Sequence, residues 1–294
     1  MNTDPVLIDT YEDLTSRPAF QPSLTFHPNG SRRFGTVIAP YRFLEKIHCG
    51  IASCHKAHLT GYLITTSDGL ETAIGGYCGK NHFGLTFTRE KQRIDQAVAR
   101  RRRINSINGF LNEMSLQLPA AELLANEYQT LQELKIRLQG AIDVDVFHKL
   151  KRRAEVGNTR IEEPIPMTAA EAEAYFETNP RKPGDPWPTK LVHLATLDGL
   201  SFLKARLKDM LVTNYIQPMR ELSKTSISDI EAMSRHHLHA TAKWVGEVRQ
   251  HRARAEEIVE AGKRFFSPDN LEKLVHLGAK TGPLEMMIKD LRPL

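Results

Sequence analysis

The chain has 294 residues, enough for two or three domains, and its mix of 40% apolar and 26% charged residues is typical of globular proteins. No apolar run approaches the length that crosses a bilayer, so the sequence excludes a membrane-spanning helix. The net charge of +5 is uneven, because residues 89–160 hold fourteen basic and nine acidic side chains whereas residues 1–88 hold seven of each. An anionic partner would therefore be attracted to residues 89–160.

Residues 1–35 contain Pro, Ser and Asn with weak periodicity, which predicts an N-terminal arm. Residues 1–5 have neither a basic region nor an apolar core, so we expect no secretory signal. The odd number of cysteines, three, favours a reducing compartment. These features predict a cytoplasmic protein.

Residues 36–88 are predicted to form a small metal-binding domain. All three cysteines lie there, together with four of the twelve histidines, and thiolate and imidazole are the ligands that tetrahedral Zn²⁺ prefers. Residues 61–66 are rich in β-formers, residues 67–69 favour a turn, and residues 70–74 return, which predicts a β-hairpin. Glycines at 75, 76 and 79 would allow the backbone to wrap around a metal ion.

The pattern Cys49-x4-Cys54, hairpin, Cys78-x3-His82 resembles a treble-clef-type zinc finger over residues 48–84. In those fingers a knuckle supplies two ligands and a second pair follows a β-hairpin. Here the first spacing is four residues rather than two, and residues 83–84 follow the second pair where a helix is usual. The resemblance implies four ligands to one structural Zn²⁺: Cys49, Cys54, Cys78 and His82. Three histidines are alternatives for the fourth ligand: His48, His55 and His58.

Two other interpretations of residues 48–84 involve fewer than four protein ligands. Three unrelated buried thiols would bind no metal at all, since free cysteine packs as a small apolar residue. A catalytic zinc would need water in place of one ligand and a general base, for which Glu71 and Glu45 are the candidates. No HExxH or other enzyme motif accompanies them, so a metal-dependent hydrolase is the least favoured function.

Residues 89–156 predict a basic helix followed by a helical hairpin. Thr88 is suited to cap a helix that begins at residue 89. The arginines at 89, 93, 100 and 103 share one face, and those at 101 and 102 widen the basic surface. Guanidinium groups bind phosphate bidentately and displace counterions, so we expect six nucleic-acid contacts: Arg89, Arg93, Arg100, Arg101, Arg102 and Arg103. The alternative is an ordinary solvated helix face.

The heptad spacing of apolar residues beyond the arginines predicts a coiled-coil-like seam, formed by Ile104, Ile107, Leu111, Met114 and Leu118. The same register, extended backwards, places Arg100 at a core position. Pro119 is expected to interrupt the helix, and a second helix should then run to about residue 139.

The proline-rich stretches 157–168 and 179–190 flank a short helix that Thr168 and Glu171 are suited to cap, which predicts a linker over residues 157–190. Residues 191–294 are predicted to be a helical C-terminal domain, with a long helix that a capping box at Ser228 opens. His236 and His239 on that helix are a weaker candidate for metal binding.

The sequence therefore predicts a mostly α protein with a small zinc-bound β-hairpin finger near the N-terminus, then long helices, then a helical C-terminal domain. The expected function is that of a non-enzymatic zinc-finger protein that binds nucleic acid, DNA in particular, mainly through the phosphate backbone, with a regulatory role. The alternative is a zinc-stabilised helical adaptor or inhibitor that binds a protein partner or self-associates through its helices.

Overall fold

The computed structural model describes residues 5–27, 30–182, 184–204 and 209–291. The protein is 60% helical and has a small antiparallel sheet near the N-terminus. This confirms the prediction of a mostly α protein with a small β element near the N-terminus. It divides into two compact units, one formed by Met1–Phe110 with Ser226–Val245 and the other by Leu111–Thr225 with Gly246–Leu294. Within the described ranges, no helix has both the length and the apolar character needed to cross a membrane.

The first unit is built on a three-stranded antiparallel sheet in the order β1 (Phe34–His48), β2 (Ala57–Thr66) and β3 (Glu71–Gly75). The expected turn between β2 and β3 is present. Pro40 lies inside β1 and pairs with Tyr62. An edge strand tolerates a residue that lacks an N–H donor, and β1 is an edge of this sheet.

Helix α2 (Gly76–Asn112) begins directly after β3. It consists of two helical segments joined at Gly84, whose φ of 62° and ψ of −136° are not helical. We expected a helix only from residue 89, because the glycine-rich stretch before it favours turns over helix. Residues of α2 pack against the sheet in one apolar core, which includes Val37, Ile64, Ile74, Phe87, Ile94 and Val98.

The predicted N-terminal arm is tied to this sheet. A short helix, α1 (Tyr11–Thr15), is capped at Thr10 by a reciprocal pair of hydrogen bonds with Asp13. Isolated parallel bridges then join Ile8, Phe20 and Leu24 to residues of the sheet and of the turn that follows β1.

Arg17 and Glu71 form a bidentate ion pair, with Nε–Oε2 and Nη2–Oε1 distances of 2.5 and 2.9 Å. The side chain of Glu71 is 11% exposed. We expect Arg17→Ala to lower the free energy of unfolding by about 2 kcal/mol, because it leaves a nearly buried carboxylate without its partner. Arg102→Ala, which removes an exposed pair with Asp9, should change it by less than about 0.5 kcal/mol. Urea denaturation measures both, and equal effects would contradict a structural role for the Arg17 pair.

The helix predicted to break at Pro119 ends earlier, at Asn112. Helix α3 (Met114–Ala141) begins after Glu113, and Pro119 lies inside it. Glu113 therefore divides the predicted heptad run between two helices, although Ile107 and Met114 are buried as expected. No continuous helix passes through this run, so the coiled-coil prediction is not supported.

The second unit contains α3, α4 (Val144–Val156) and a hairpin of β4 (Arg160–Pro166) and β5 (Thr189–Thr196), with α5 (Ala169–Thr178) between the strands. The residues predicted as a proline-rich linker therefore form most of this hairpin. Thr168 and Glu171 cap α5 as predicted. In a two-stranded sheet both strands are edges, which is where proline is tolerated.

The C-terminal part is mostly helical, but residues 191–196, predicted to begin the helical domain, lie in β5 instead. After a 3-10 turn (Leu200–Leu203) come a π-helix (Asp209–Ile216), α6 (Gln217–Leu222), α7 (Ile227–Ala232), α8 (Arg235–Phe265), α9 (Pro268–Glu272), a 3-10 turn (Lys273–Leu277) and α10 (Thr281–Leu291). The single long helix expected from Ser228 is thus two helices. The capping pair at the start of α7 is Ser226 with Asp229, two residues earlier than predicted.

Candidate metal centre

The three cysteines predicted as ligands lie together. The Sγ atoms of Cys49, Cys54 and Cys78 are all within 4.8 Å of one another, and those of Cys54 and Cys78 are 3.2 Å apart. A tetrahedral zinc ion with Zn–S bonds of roughly 2.3 Å requires sulfur atoms about 3.8 Å apart. The Cys54–Cys78 distance is shorter than this value, so the cluster fits a thiophilic cation after small side-chain movements.

Two of the thiols come from a tight turn between β1 and β2. The Cys49 N–H donates to the Lys56 carbonyl oxygen (3.0 Å), and the Cys54 N–H donates to that of Ile51 (2.8 Å). His55 has a φ of 41° and is the only non-glycine residue with positive φ in the described part of the chain. This left-handed residue reverses the backbone after the second thiol, so that the chain can enter β2. The third thiol lies in the first turn of α2.

A glycine allows this turn to approach β3 closely. A Cβ atom on Gly50 would lie 1.9 Å from Thr72 Oγ1 and 3.0 Å from the Ala73 carbonyl oxygen. The Gly50 N–H donates to that same oxygen (2.7 Å), and the Thr72 hydroxyl is held by the Gln21 carbonyl oxygen (2.7 Å). The backbone contact brings the turn against the strand that leads into α2 and Cys78.

The thiols are electrostatically unequal. The Lys56 backbone N–H donates to the Cys54 sulfur and lowers the pKa of that thiol. Burial raises the pKa of the Cys78 thiol to about 12, and the neighbouring sulfur atoms of Cys54 and Cys49 add to the effect. At neutral pH Cys78 therefore keeps its proton unless a cation displaces it. Metal binding at this cluster would release protons and would strengthen as the pH rises.

The side chain of His82 lies outside the thiol cluster. In the described residues the cluster contains only thiols, and no histidine nitrogen lies within the same 4.8 Å. His82 is exposed on α2, four residues after Cys78 and therefore on the same helix face, and its ring lies 6.1 Å from that of Phe83. His58 lies beside the cluster, because its ring and the Cys78 sulfur are both within 4 Å of the position of a Cβ on Gly75.

Both ring nitrogens of His58 already have partners. Nε2 lies 2.7 Å from the Tyr41 hydroxyl, and Nδ1 lies 3.1 Å from the Lys56 carbonyl oxygen, which fixes Nδ1 as the donor. Tyr41 is 3% exposed, and burial followed by the nearby thiols raises its pKa. Sequence reasoning did not single out Tyr41, because its position beside His58 depends on the register of β1 and β2. The His82 ring, in contrast, forms no hydrogen bond to any described residue.

The remaining candidates do not belong to the thiol cluster. His48 and His55 are exposed. Glu71, considered as a general base, is held in the ion pair with Arg17. Glu45 is exposed in the part of β1 that bulges away from β2. Among the described residues, no carboxylate belongs to the thiol cluster.

Arg100, predicted to contact nucleic acid, has a structural role. Its guanidinium donates to the Met233 carbonyl oxygen (3.1 Å) and to that of Glu231. Both carbonyls are at the C-terminal end of α7, where the helix itself offers them no partner. Arg100 therefore attaches α2 to the corner between α7 and α8. The heptad register that places Arg100 at a core position was the sequence signal for this contact.

The other five arginines differ in their surroundings. Arg93 and Arg102 form exposed ion pairs with acidic residues, and such pairs are weak enough for an anion to compete with them. Arg101 has a partner within the chain. Arg89 is exposed and Arg103 half-buried, and within the described ranges neither makes an ion pair or a side-chain hydrogen bond.

No protein-family model matches the chain, and no curated protein or solved structure matches it either.

Proposed function

We propose that the protein is a zinc-finger protein of the treble-clef type that binds nucleic acid and catalyses no reaction. Cys49, Cys54, Cys78 and His82 would hold one structural Zn²⁺. The convergence of three thiols to within 4.8 Å carries the metal part of the proposal. They come from a tight turn and from the first turn of a helix, with a β-hairpin between. That order is the one in treble-clef fingers. Because α2 begins at Gly76, the second pair, Cys78 and His82, lies in a helix.

His82 is the proposed fourth ligand because it lies one helical turn after Cys78 and its ring makes no hydrogen bond to a described residue. Residues four apart on a helix have Cβ atoms about 5–6 Å apart, which lets Cys78 and His82 share one ion after a side-chain rotation. His58 would have to give up a hydrogen bond to bind. Four protein ligands close the coordination sphere, so the metal would stabilise the fold. Free thiols at this cluster are consistent with a reducing compartment such as the cytoplasm.

The nucleic-acid part of the proposal rests on the exposed arginines of α2. Arg89, Arg93 and Arg102 follow the metal-binding segment on one helix, and their pairing is either absent among described residues or exposed. Contacts of this kind neutralise phosphates without reading bases, so we expect modest sequence preference. About three neutralised phosphates on a duplex imply that log K falls with log salt with a slope of about −3.

Fluorescence anisotropy with a labelled 20-base-pair duplex and a single strand, each titrated over a range of salt concentrations, tests this part. We expect the double variant Arg89→Ala/Arg93→Ala to bind about tenfold more weakly at low salt and to reduce the slope to about −1. Arg137→Ala, which removes a basic side chain from the second unit, is the control and should change little. A flat titration of the unmodified protein at low salt, with both probes, would refute nucleic-acid binding and leave the metal proposal intact.

An adaptor that binds a protein partner is the second candidate. Residues 36–88 expose large apolar side chains, among them Leu44 (100%), Tyr77 (70%) and Leu85 (75%). Apolar side chains exposed in this way are typical of interaction sites when they are contiguous. Capture of a partner that survives nuclease treatment and high salt would favour this function over nucleic-acid binding.

A further inference from the structure

We propose that a cavity between α2 and the N-terminal end of α8 binds a phosphate group. The cavity has a volume of about 420 Å³, and both of its walls belong to the first unit. Three guanidinium groups line it, together with one carboxylate and apolar or uncharged side chains: Arg100, Arg103, Arg235, Asp95, Gln96, Ala97, Ala99 and Leu238. It does not involve the thiols, and it stands whether or not the protein binds nucleic acid.

The cavity carries a net positive charge, and some of its guanidinium N–H groups have no hydrogen-bond partner among the described residues. Asp95, the one carboxylate, already accepts a hydrogen bond from the Tyr62 hydroxyl (3.1 Å). Arg103 and Arg235 make no ion pair or side-chain hydrogen bond to any residue that the structure describes. Alanine and leucine side chains line part of the walls, and apolar walls focus the field of the guanidinium groups onto an anion.

Arg100 gives the cavity a fixed frame. Two of its nitrogen atoms donate to the Met233 and Glu231 carbonyl oxygens, which locks the guanidinium plane. A guanidinium has five N–H donors, so these two bonds leave others for a ligand. The same bonds hold the α7–α8 corner against α2 and so set the separation of Arg103 from Arg235.

The backbone adds to the positive potential at this place. Arg235 is the first residue of α8, a helix of 31 residues. The Ser234 hydroxyl oxygen accepts from the His237 N–H (3.2 Å), which marks this point as a helix N-terminus. The N-terminal end of a helix carries partial positive charge and favours phosphate.

Phosphate is the ligand group that these donors suit best. Guanidinium groups bind its oxygen atoms bidentately, and a dianion matches the excess of two positive charges in the cavity. The group could come from the end of a nucleic-acid strand or from a free phosphate compound, which share this chemistry. The volume also admits an attached sugar, since it lies within the usual range for small-molecule sites.

Isothermal titration of the full-length protein with inorganic phosphate at low salt is the test. We expect saturable binding that Arg103→Ala/Arg235→Ala weakens at least tenfold. Neither substitution removes a described contact, so the variants should fold, which a thermal melt checks. Arg89→Ala removes an arginine of the same helix outside the cavity and should leave phosphate binding unchanged, although it should weaken duplex binding if the proposed function is correct. Phosphate affinity that is absent, or equal in the double variant, would overturn the proposal.

A second titration separates the two sources of phosphate. A short single strand with a 5′-phosphate should bind at least tenfold more tightly than the same strand with a 5′-hydroxyl if the cavity accepts strand ends, and the double variant should abolish the difference. Equal binding of the two strands, with inorganic phosphate still bound, would support the cavity as a site for a free phosphate compound.

Discussion

Cys78→Ser is expected to abolish metal binding and to unfold the first unit. Serine cannot supply the thiolate, and the three remaining ligands, Cys49, Cys54 and His82, leave one position of the ion open to water. Structural zinc contributes on the order of 10 kcal/mol to the folding of small zinc-binding peptides, which is as large as the whole stability of many domains. We expect bound zinc to fall from one per chain to below about 0.1, and the thermal transition of the first unit to disappear while that of the second remains.

The controls for this variant lie in the same segment. Ser53→Ala changes an exposed residue of the same turn and should retain both metal and stability. His82→Ala should lower zinc affinity more than His58→Ala does. The first variant removes a metal ligand, whereas the second removes a residue that only lies beside the ligands. The reverse order would make His58 the fourth ligand. A Cys78→Ser protein that retains its metal and melts like the unmodified protein would contradict the metal centre.

Gly50→Ala is expected to lower the free energy of unfolding by at least about 3 kcal/mol, because the new methyl group would overlap Thr72 Oγ1 and press on the Ala73 carbonyl oxygen. Thr72 is fully buried and cannot turn aside without losing its bond to the Gln21 carbonyl oxygen. The same shift would separate Cys49 from the other thiols, so zinc affinity should fall as well.

Gly109→Ala is the matched control, because a Cβ there meets nothing within 4 Å and the residue lies within a helix. It should stabilise the protein by about 0.5–1 kcal/mol. Urea denaturation in the presence of zinc measures both glycine variants. Gly50→Ala stability within about 0.5 kcal/mol of the unmodified protein would show that the turn does not depend on this close approach.

The thiol cluster could be predicted from the sequence because few residue types bind soft metals. Cys49, Cys54 and Cys78 are all the thiols that the chain has, and the hairpin between them has clear turn chemistry. The sequence alone does not distinguish His82 from the other histidines as the fourth ligand. His58 and His82 differ in hydrogen bonding and side-chain direction, which depend on strand register and on the start of α2.

The arginines show a different limit. Helical periodicity placed them on one helix, but it carries no information about residues far along the chain. The partners of Arg100 are carbonyls at positions 231 and 233, and the cavity that includes Arg103 is completed by Arg235. Only the tertiary structure brings these segments together.

Proline residues account for two differences between the predicted and the observed secondary structure. The prolines of residues 157–190 indicated a linker, yet Pro164 and Pro166 lie in a two-stranded hairpin, where every strand is an edge. Pro119 was expected to end a helix that in fact ends at Asn112, before Glu113, without a glycine or a proline. Helix ends set by packing leave no local signal in the sequence.

X-ray absorption spectroscopy at the zinc edge, on full-length protein reconstituted with Zn²⁺, tests the metal centre most directly. We expect one zinc per chain, with three sulfur atoms at about 2.3 Å and one nitrogen atom at about 2.0–2.1 Å. Failure to bind stoichiometric zinc, or a coordination shell made only of oxygen and nitrogen, would contradict it.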